Sequence, residues 1–324
     1  MTAAAKSSGH WAGFNEVSFV AGMRLLFWIC RVFGRWPFRV VLYPVLLWYV
    51  LSKPRARRVS RAYLRRVAAC GGAADASLPG VLRHFGAFAE TILDKMLLWG
   101  GLFDTSTVSL HGAGLDGIER CLDEGRGALL ICAHLGNLEL CRVLSRRRAG
   151  LKLTVLVHTR HAQAFNRMLA RLNPDSQLNL LQVTEMTPAT AMLLAEKVAQ
   201  GEFVVIAGDR VPVSPQPRVA LAPFLGGPAA FPIGPYVLAS VLQCPVYLLF
   251  SMRLGQRSEV HFEPFRESLH LPRKARETML AELAGDYAAR LQHHCLRAPR
   301  EWFNFYDFWQ LPATSRLDTS DASR

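Results

Sequence analysis

The 324-residue sequence lacks paired cysteines, because its seven cysteines are scattered and none forms a C-x-x-C motif. An odd number without regular spacing indicates free thiols in a reducing compartment, and argues against a zinc ribbon or a thioredoxin-like site. A G-x-S-x-G elbow is also missing, which argues against a serine hydrolase of the α/β-hydrolase type.

Acidic residues are scarce. The chain has 25 Asp and Glu against 38 Lys and Arg, which gives a net charge of +13. Such a surface favours acidic partners, either an anionic membrane or an acidic carrier protein. No helix-turn-helix or RNA-binding signature accompanies the charge, so no nucleic acid partner is predicted.

The N-terminal apolar stretch, Phe19–Leu51, lacks a run long enough to span a bilayer. Its longest uncharged run, Val40–Ser52, contains Pro44 and falls short of the roughly 20 residues that a span requires. Aromatic residues typical of membrane interfaces occur in it, and a basic run follows at 53–66. We therefore predict a helical, membrane-associated segment over residues 1–100, with a buried helical hairpin as the alternative.

From about Ser106, short β-rich runs alternate with helical patterns, which predicts an α/β fold with a mostly parallel sheet flanked by helices. This domain is predicted over 101–312, followed by a disordered tail over 313–324. The predicted strands are Thr107–His111, Ala128–Cys132, Leu153–Val157, Leu178–Val183, Phe203–Ala207 and Val246–Phe250. Helices are predicted at Gly80–Trp99, 115–124, 137–148, 162–172, 188–200, 233–242 and Leu271–His294.

The most informative segment follows the second predicted strand. An apolar strand ends at His134, Gly136 permits a sharp turn, and a helix is predicted from near Asn137. In open α/β sheets, functional sites gather at the carboxyl ends of strands. Across such a turn Glu139 can return to His134, fixing its tautomer and leaving the other ring nitrogen as a general base. The alternative is a buried histidine beside an ordinary glutamate at a helix start.

His134-Leu-Gly-Asn-Leu-Glu139 after an apolar strand resembles the motif of the bacterial lipid A biosynthesis lauroyl/myristoyl acyltransferases, within the lysophospholipid acyltransferase-like superfamily. Further blocks resemble this family in the same order, over roughly residues 20–310. They are 158–166 with Arg160, Gly208-Asp209-Arg210, Phe224–Gly234 and Glu301–Trp309. The family's basic residues in the last block are replaced by Asn304, Tyr306 and Asp307, which predicts a divergent member acting on an acceptor other than a lipid A precursor.

The resemblance implies transfer of a fatty acyl chain from an acyl thioester, usually on acyl carrier protein, to a hydroxyl or amine of a lipid or amphipathic acceptor. It implies His134 as general base with Glu139 orienting it, and no metal or other cofactor. Arg160 and Arg210 are expected to bind anionic groups, Asp209 to hold one of these arginines, and Gly136 and Asn137 to shape the substrate site. The implied location is the cytoplasmic face of a bacterial inner membrane.

Two other functions stay open. Gly112-Ala-Gly114-Leu-Asp-Gly117 matches the dinucleotide fingerprint of a NAD-binding oxidoreductase, but the acidic residue expected about twenty positions on is missing, so a turn into a helix is predicted instead. A non-catalytic membrane-binding protein on the same fold is the second alternative. The pairs His158 and His161, and His293 and His294, are interpreted as ordinary surface histidines rather than a metal site.

Overall fold

The computed structural model describes residues 28–141, 152–157, 178–182, 187–211 and 217–311. Its N-terminal part is helical. A helical turn at 28–33 precedes α1 (Trp36–Ser52), α2 (Pro54–Ala69) and α3 (Leu78–Trp99). Pro54 begins α2, and the Ser77 side chain accepts a hydrogen bond from the Gly80 amide at the start of α3. Both are usual ways to begin a helix, because the first-turn amides have no partner inside it.

The first of these helices contributes little to the core. Val50 is the buried residue of α1, while most of its large apolar side chains are exposed. By contrast, α3 buries Val81, Phe85, Leu93 and Leu97 along one face, at the helical spacing that the sequence shows. Among the described residues, no helix is both long and apolar enough to cross a membrane.

A seven-stranded sheet follows, as far as the chain is described. Its strands are β1 (Val108–His111), β2 (Leu129–Cys132), β3 (Leu153–Val157), β4 (Leu178–Gln182), β5 (Phe203–Ala207), β8 (Val246–Leu254) and β9 (Arg257–Arg266). They lie in the order β1-β9-β8-β2-β5-β3-β4, and all neighbouring strands are parallel except the β8–β9 pair. The helices between and after them are α4 (Leu115–Asp123), α5 (Pro188–Ala199), α6 (Gly234–Leu242) and α7 (Arg276–Arg297).

Both faces of the sheet are covered, as a parallel sheet requires. Along β2 and the residue after it, Leu129, Ile131 and Ala133 belong to one hydrophobic cluster. Leu130 and Cys132 belong to the cluster on the opposite face. The alternation explains why β2 is an uninterrupted apolar run in the sequence, since successive side chains point to opposite faces and both faces are buried. The predicted α/β fold with a mostly parallel sheet is confirmed.

Three strands were not predicted from the sequence. β9 pairs with β8 in an antiparallel hairpin at the turn near Gly255. A second hairpin joins β6 (Val219–Phe224) to β7 (Gly227–Pro232) through Leu225 and Gly226, both with positive φ angles. The sequence pattern predicts no strand over 219–232, and Phe224–Gly234 is noted only as a block that resembles the family. A two-residue hairpin turn needs positive φ angles, which glycine adopts readily, so Gly226 suits its position whereas a leucine at 225 is unusual.

Candidate active site

The order of the strands brings His134 and Asp209 together. β2 and β5 are hydrogen-bonded neighbours, and Cys132 pairs in register with Ala207. His134 lies two residues beyond Cys132, and Asp209 lies two residues beyond Ala207. Because the strands are parallel, both side chains lie at the carboxyl edge of the sheet, where sites in open α/β folds gather.

Asp209 is the carboxylate that contacts His134. Its Oδ1 lies 2.8 Å from His134 Nδ1, and its Oδ2 accepts a hydrogen bond of 2.7 Å from the His134 backbone amide. The Asp209 side chain is 2% exposed, whereas that of His134 is 34% exposed. The imidazole is therefore held on its buried side and has its Nε2 side available for chemistry.

The C-terminal aromatic block completes the surroundings of Asp209. The indole Nε1 of Trp302 donates to Asp209 Oδ2 over 2.9 Å, and the Tyr306 hydroxyl donates to the Asp209 backbone carbonyl over 3.2 Å. Leu135 and Trp302 form an antiparallel bridge, and the Phe303 amide donates to the His134 carbonyl over 2.8 Å. The block resembles the family in sequence, but Trp302 and Tyr306 are not among the predicted site residues. An isolated sequence pattern gives no signal that the indole faces Asp209.

The ionisation of Asp209 follows from these contacts. Burial by itself would raise the pKa of this carboxyl, but the charge and hydrogen bonds of His134 and the Trp302 donor act in the opposite direction and outweigh it. The pKa of Asp209 is consequently below its usual value. A buried aspartate that stays ionised stabilises the protonated form of a histidine, which is what a general base requires while it carries the proton.

Gly136 makes the turn after the strand possible. Its φ of +59° is disfavoured for residues with a side chain, and a Cβ at this position would lie 2.4 Å from the Ser251 carbonyl oxygen. Its amide donates to the Glu301 carbonyl over 2.8 Å. Gly136 thus lets the chain pass close to β8 while it keeps His134 at the sheet edge.

Glu139 lies in a 3-10 turn, Leu138–Cys141, where sequence analysis predicted the start of a helix. Its Oε2 accepts a hydrogen bond of 3.3 Å from Trp99 Nε1 at the end of α3. The structure therefore places Asp209, not Glu139, against the His134 ring, because β5 lies beside β2 and carries Asp209 to Nδ1. The catalytic role of Glu139 stays a prediction.

The other predicted site residues are distributed as follows. Asn137 is buried, and its Oδ1 accepts from the Glu139 amide over 3.1 Å. Arg210 is exposed, and its Nη2 donates to the Phe303 carbonyl over 3.3 Å. Sequence analysis expected Asp209 to hold an arginine, whereas its carboxylate contacts His134 and Trp302. Arg160 lies outside the described residues, as do His158 and His161.

The competing motifs have structural explanations. The turn and helix predicted for Gly112–Gly117 are present, since α4 begins at Leu115. A Cβ on Gly112 would lie 2.1 Å from the Phe262 carbonyl oxygen, and one on Gly117 would lie 2.4 Å from the Tyr247 hydroxyl, so close packing requires both glycines.

The interpretation of His294 as a surface histidine was wrong. It is buried on α7, and its Nε2 lies 2.7 Å from a Glu263 carboxylate oxygen. Within the described residues, no group of three or more potential ligands is arranged to hold a metal ion.

The model of a family described as bacterial lipid A biosynthesis acyltransferase matches residues 94–310. The matched range contains His134, Glu139, Asp209 and Trp302, and it spans the sheet from β1 to the C-terminal aromatic block. No match to the chain is found among curated proteins.

Proposed function

The chain belongs to the bacterial lipid A biosynthesis acyltransferase family, and from this membership we propose that it transfers a fatty acyl chain from an acyl thioester to a hydroxyl or amine of an amphipathic acceptor. The observation that supports this reaction most directly is the contact of 2.8 Å between His134 Nδ1 and Asp209. Acyl carrier protein is the proposed thioester donor, because an acidic carrier suits a chain with a net charge of +13.

In the proposed reaction, Asp209 holds the Nδ1 proton of His134, so Nε2 has a free lone pair. Nε2 removes the proton of the acceptor hydroxyl or amine as that group attacks the thioester carbonyl carbon. The new bond to the acceptor forms, and a tetrahedral oxyanion develops. The carbon–sulfur bond then breaks, and the thiolate takes the proton from His134 to leave as a thiol. Asp209 stabilises the imidazolium in the interval, and the net exchange requires no redox step.

The experiment combines purified protein, a membrane lipid extract and palmitoyl-carrier protein labelled in the acyl chain. Wild type is compared with His134→Gln and with His111→Gln, which changes an exposed histidine on β1. We expect a labelled lipid product from wild type and His111→Gln, and at least about a thousandfold less from His134→Gln. Equal labelling by all three proteins would refute the role of His134. Labelled free fatty acid without a lipid product would instead indicate thioester hydrolysis.

We also propose that α1 binds the cytoplasmic face of a bacterial inner membrane. Large apolar side chains on and before this helix are exposed, whereas soluble proteins rarely expose such contiguous apolar surface. The basic helix α2 follows directly and would interact with anionic lipid. Exposed apolar residues on this surface are Trp28, Val32, Phe33, Trp36, Val40, Val41, Tyr43, Val45, Leu47, Trp48, Tyr49 and Leu51.

Sedimentation with vesicles tests this arrangement. Val41 and Trp48 are each 67% exposed on α1, and Met192 is 74% exposed on α5. We expect Val41→Asp and Trp48→Asp to reduce binding to vesicles of phosphatidylcholine and phosphatidylglycerol, while Met192→Asp binds as wild type does. Membrane binding that is insensitive to the two α1 substitutions would contradict the proposal. Binding that is equal with and without phosphatidylglycerol would contradict the role of α2.

A further inference from the structure

A polar cavity of about 800 Å³ lies between the N-terminal helices and the β8–β9 hairpin. α1 and α3 form one wall, the hairpin turn forms another, and Pro299–Glu301 form a third. The cavity adjoins the candidate active site through Glu301, which lines it and whose backbone carbonyl accepts from the Gly136 amide. The arrangement differs from an ordinary surface groove because charged side chains are concentrated in it.

Two buried carboxylates organise the floor of this cavity. Glu90 and Asp94 are four residues apart on α3, so they lie on the same face of the helix. Arg39 contacts Glu90 through Nε and Nη2, at 2.5 and 3.2 Å, and Arg35 forms an ion pair with Asp94. These two pairs neutralise the carboxylates, so the carboxylates do not depend on further cations for charge balance.

Arg253 lies over the same carboxylates with spare hydrogen-bonding capacity. Its Nη1 is 3.6 Å from a Glu90 oxygen and 3.9 Å from an Asp94 oxygen, both beyond hydrogen-bond distance. Among the described residues, its guanidinium donates no hydrogen bond, although its side chain is only 23% exposed. A guanidinium has five N–H donors, which match the oxygen atoms of a phosphate or carboxylate.

Arg300 adds a second cation at the rim. It is exposed, it lines the cavity, and no salt bridge within the described part of the chain includes it. Glu301 beside it is 4% exposed, and burial raises the pKa of its carboxyl to about 7, although Arg253 and Arg300 oppose the increase. Near neutral pH the carboxyl is therefore partly protonated, which leaves the two arginines with an excess of positive charge.

The cavity is continuous with the exposed apolar surface of α1. Trp36 and Tyr43 line it and are also 62% and 39% exposed. A ligand with a charged head and an apolar chain could place its head in the charged cavity and its chain against the apolar side chains of α1. The family match begins at Asp94, so the wall contributed by α1 and most of α3 lies outside it.

We propose that this cavity binds the anionic headgroup of an amphiphile, a phosphate ester or carboxylate, through Arg253 and Arg300, while its apolar chain lies along α1. Glu90 and Asp94 act on the ligand only through Arg253, whose guanidinium they position. The identification of this amphiphile as the acyl acceptor rests on the proposed acyl transfer, but the binding itself does not.

Calorimetric titration of the full chain tests the proposal without any acyl donor. The probe is dihexanoylphosphatidic acid below its micelle concentration, and the comparisons are dihexanoylphosphatidylcholine and inorganic phosphate. We expect Arg253→Gln and Arg300→Gln to weaken binding of the probe about tenfold or more, as loss of a charge-assisted hydrogen bond implies. Arg257→Gln, an exposed arginine on the same hairpin outside the cavity lining, should bind as wild type does.

Thermal unfolding of each variant shows whether it folds. The Arg300 side chain is exposed, so Arg300→Gln should fold as wild type does and its binding can be interpreted even if Arg253→Gln does not fold. Equal weakening by Arg257→Gln, or none by the two cavity variants, would overturn the proposal. Phosphatidylcholine bound as tightly as phosphatidic acid would refute an anion site, and phosphate bound as tightly would refute an amphiphile site. His134→Gln should bind the probe normally, so failure of acyl transfer and failure of this site are distinguishable.

Discussion

Replacement of Asp209 by asparagine tests which carboxylate orients His134. The Asp209 oxygens accept three hydrogen bonds, one on Oδ1 from the ring and two on Oδ2 from the His134 amide and Trp302. An amide that keeps its oxygen on the side of Oδ2 satisfies two donors and directs its NH2 group at Nδ1. The opposite orientation sets the NH2 group against the His134 amide and the Trp302 indole, which are both donors, so the orientation with oxygen on that side is favoured.

This orientation changes the tautomer of His134. Nδ1 must accept a hydrogen bond from the amide, so the ring proton moves to Nε2. An Nε2 that carries a proton cannot remove one from the acceptor. The equivalent substitution in a serine protease triad lowers kcat about 10⁴-fold. We expect Asp209→Asn to lower kcat by about 10³- to 10⁴-fold, which corresponds to about 4 to 5 kcal/mol of transition-state stabilisation.

The assay is acyl transfer from labelled palmitoyl-carrier protein, with Glu139→Gln as the matched comparison. Both substitutions replace one carboxylate oxygen by an NH2 group, which converts the carboxylate to an amide. Because Glu139 is placed against Trp99 rather than the imidazole, we expect Glu139→Gln to lose much less activity than Asp209→Asn. A nitrogen NMR spectrum of the His134 ring reports the tautomer directly, and it should change only in Asp209→Asn.

A folded Asp209→Asn protein with more than about a tenth of the wild-type kcat would refute the proposed role of Asp209, because one tenth corresponds to only about 1.4 kcal/mol. The reverse order, with Glu139→Gln more damaging than Asp209→Asn, would restore the orientation that the sequence motif alone predicts. The tautomer measurement separates a lost proton acceptor from a general loss of structure.

Three further changes test the surroundings of the site. Gly136→Ala should destabilise the protein by several kcal/mol in thermal unfolding, since φ is +59° and Ser251 blocks the Cβ, whereas Gly125→Ala, at φ +64° in open space, should cost only about 1 to 2 kcal/mol. Glu301→Gln should remove a loss of folding stability that wild type shows as pH rises toward 7. The raised pKa of Glu301, about 7, means that the folded state keeps the proton longer, so stability falls by about 3 kcal/mol as pH rises from about 4.5 to 7. Trp302→Phe should lower kcat with little change in KM, because the buried aspartate loses a hydrogen bond worth about 1.5 to 3 kcal/mol.

Each of these expectations has an outcome that contradicts it. Equal destabilisation by the two glycine substitutions would show that contact with β8 does not matter. A wild-type stability that is flat between pH 4.5 and 7 would contradict the assignment of the titration to Glu301. A change in KM alone for Trp302→Phe would place the indole in substrate binding rather than in positioning.

Local patterns in the sequence were sufficient for much of the fold. β3 and β5 have the predicted bounds, and α5 and α6 differ from their predictions by one residue at an end. Such elements are recognisable because their apolar periodicity is set by their own burial. β9 was missed because its charged residues form ion pairs with α7, so it does not resemble a buried strand in sequence. Arg297 contacts Glu259 in this way.

The site was predictable only in part, for a similar reason. His134 follows a strand and precedes a glycine turn, and both signals are local. Asp209 is 75 residues away, and its contact with His134 depends on β2 and β5 being neighbours, although β3 and β4 lie between them in the chain. Sequence alone does not give the order of strands, so it pairs His134 with the carboxylate nearest in the chain, Glu139.

The hydrogen bonds between residues 134–136 and 301–303 also determine when the site forms during synthesis. His134 and Asp209 leave the ribosome before Trp302, so β2 and β5 are available for pairing while Asp209 still lacks its indole donor. The candidate site is therefore complete only once residues 301–303 have been translated, and a chain truncated before Trp302 would lack the donor to Asp209 and part of the buried core.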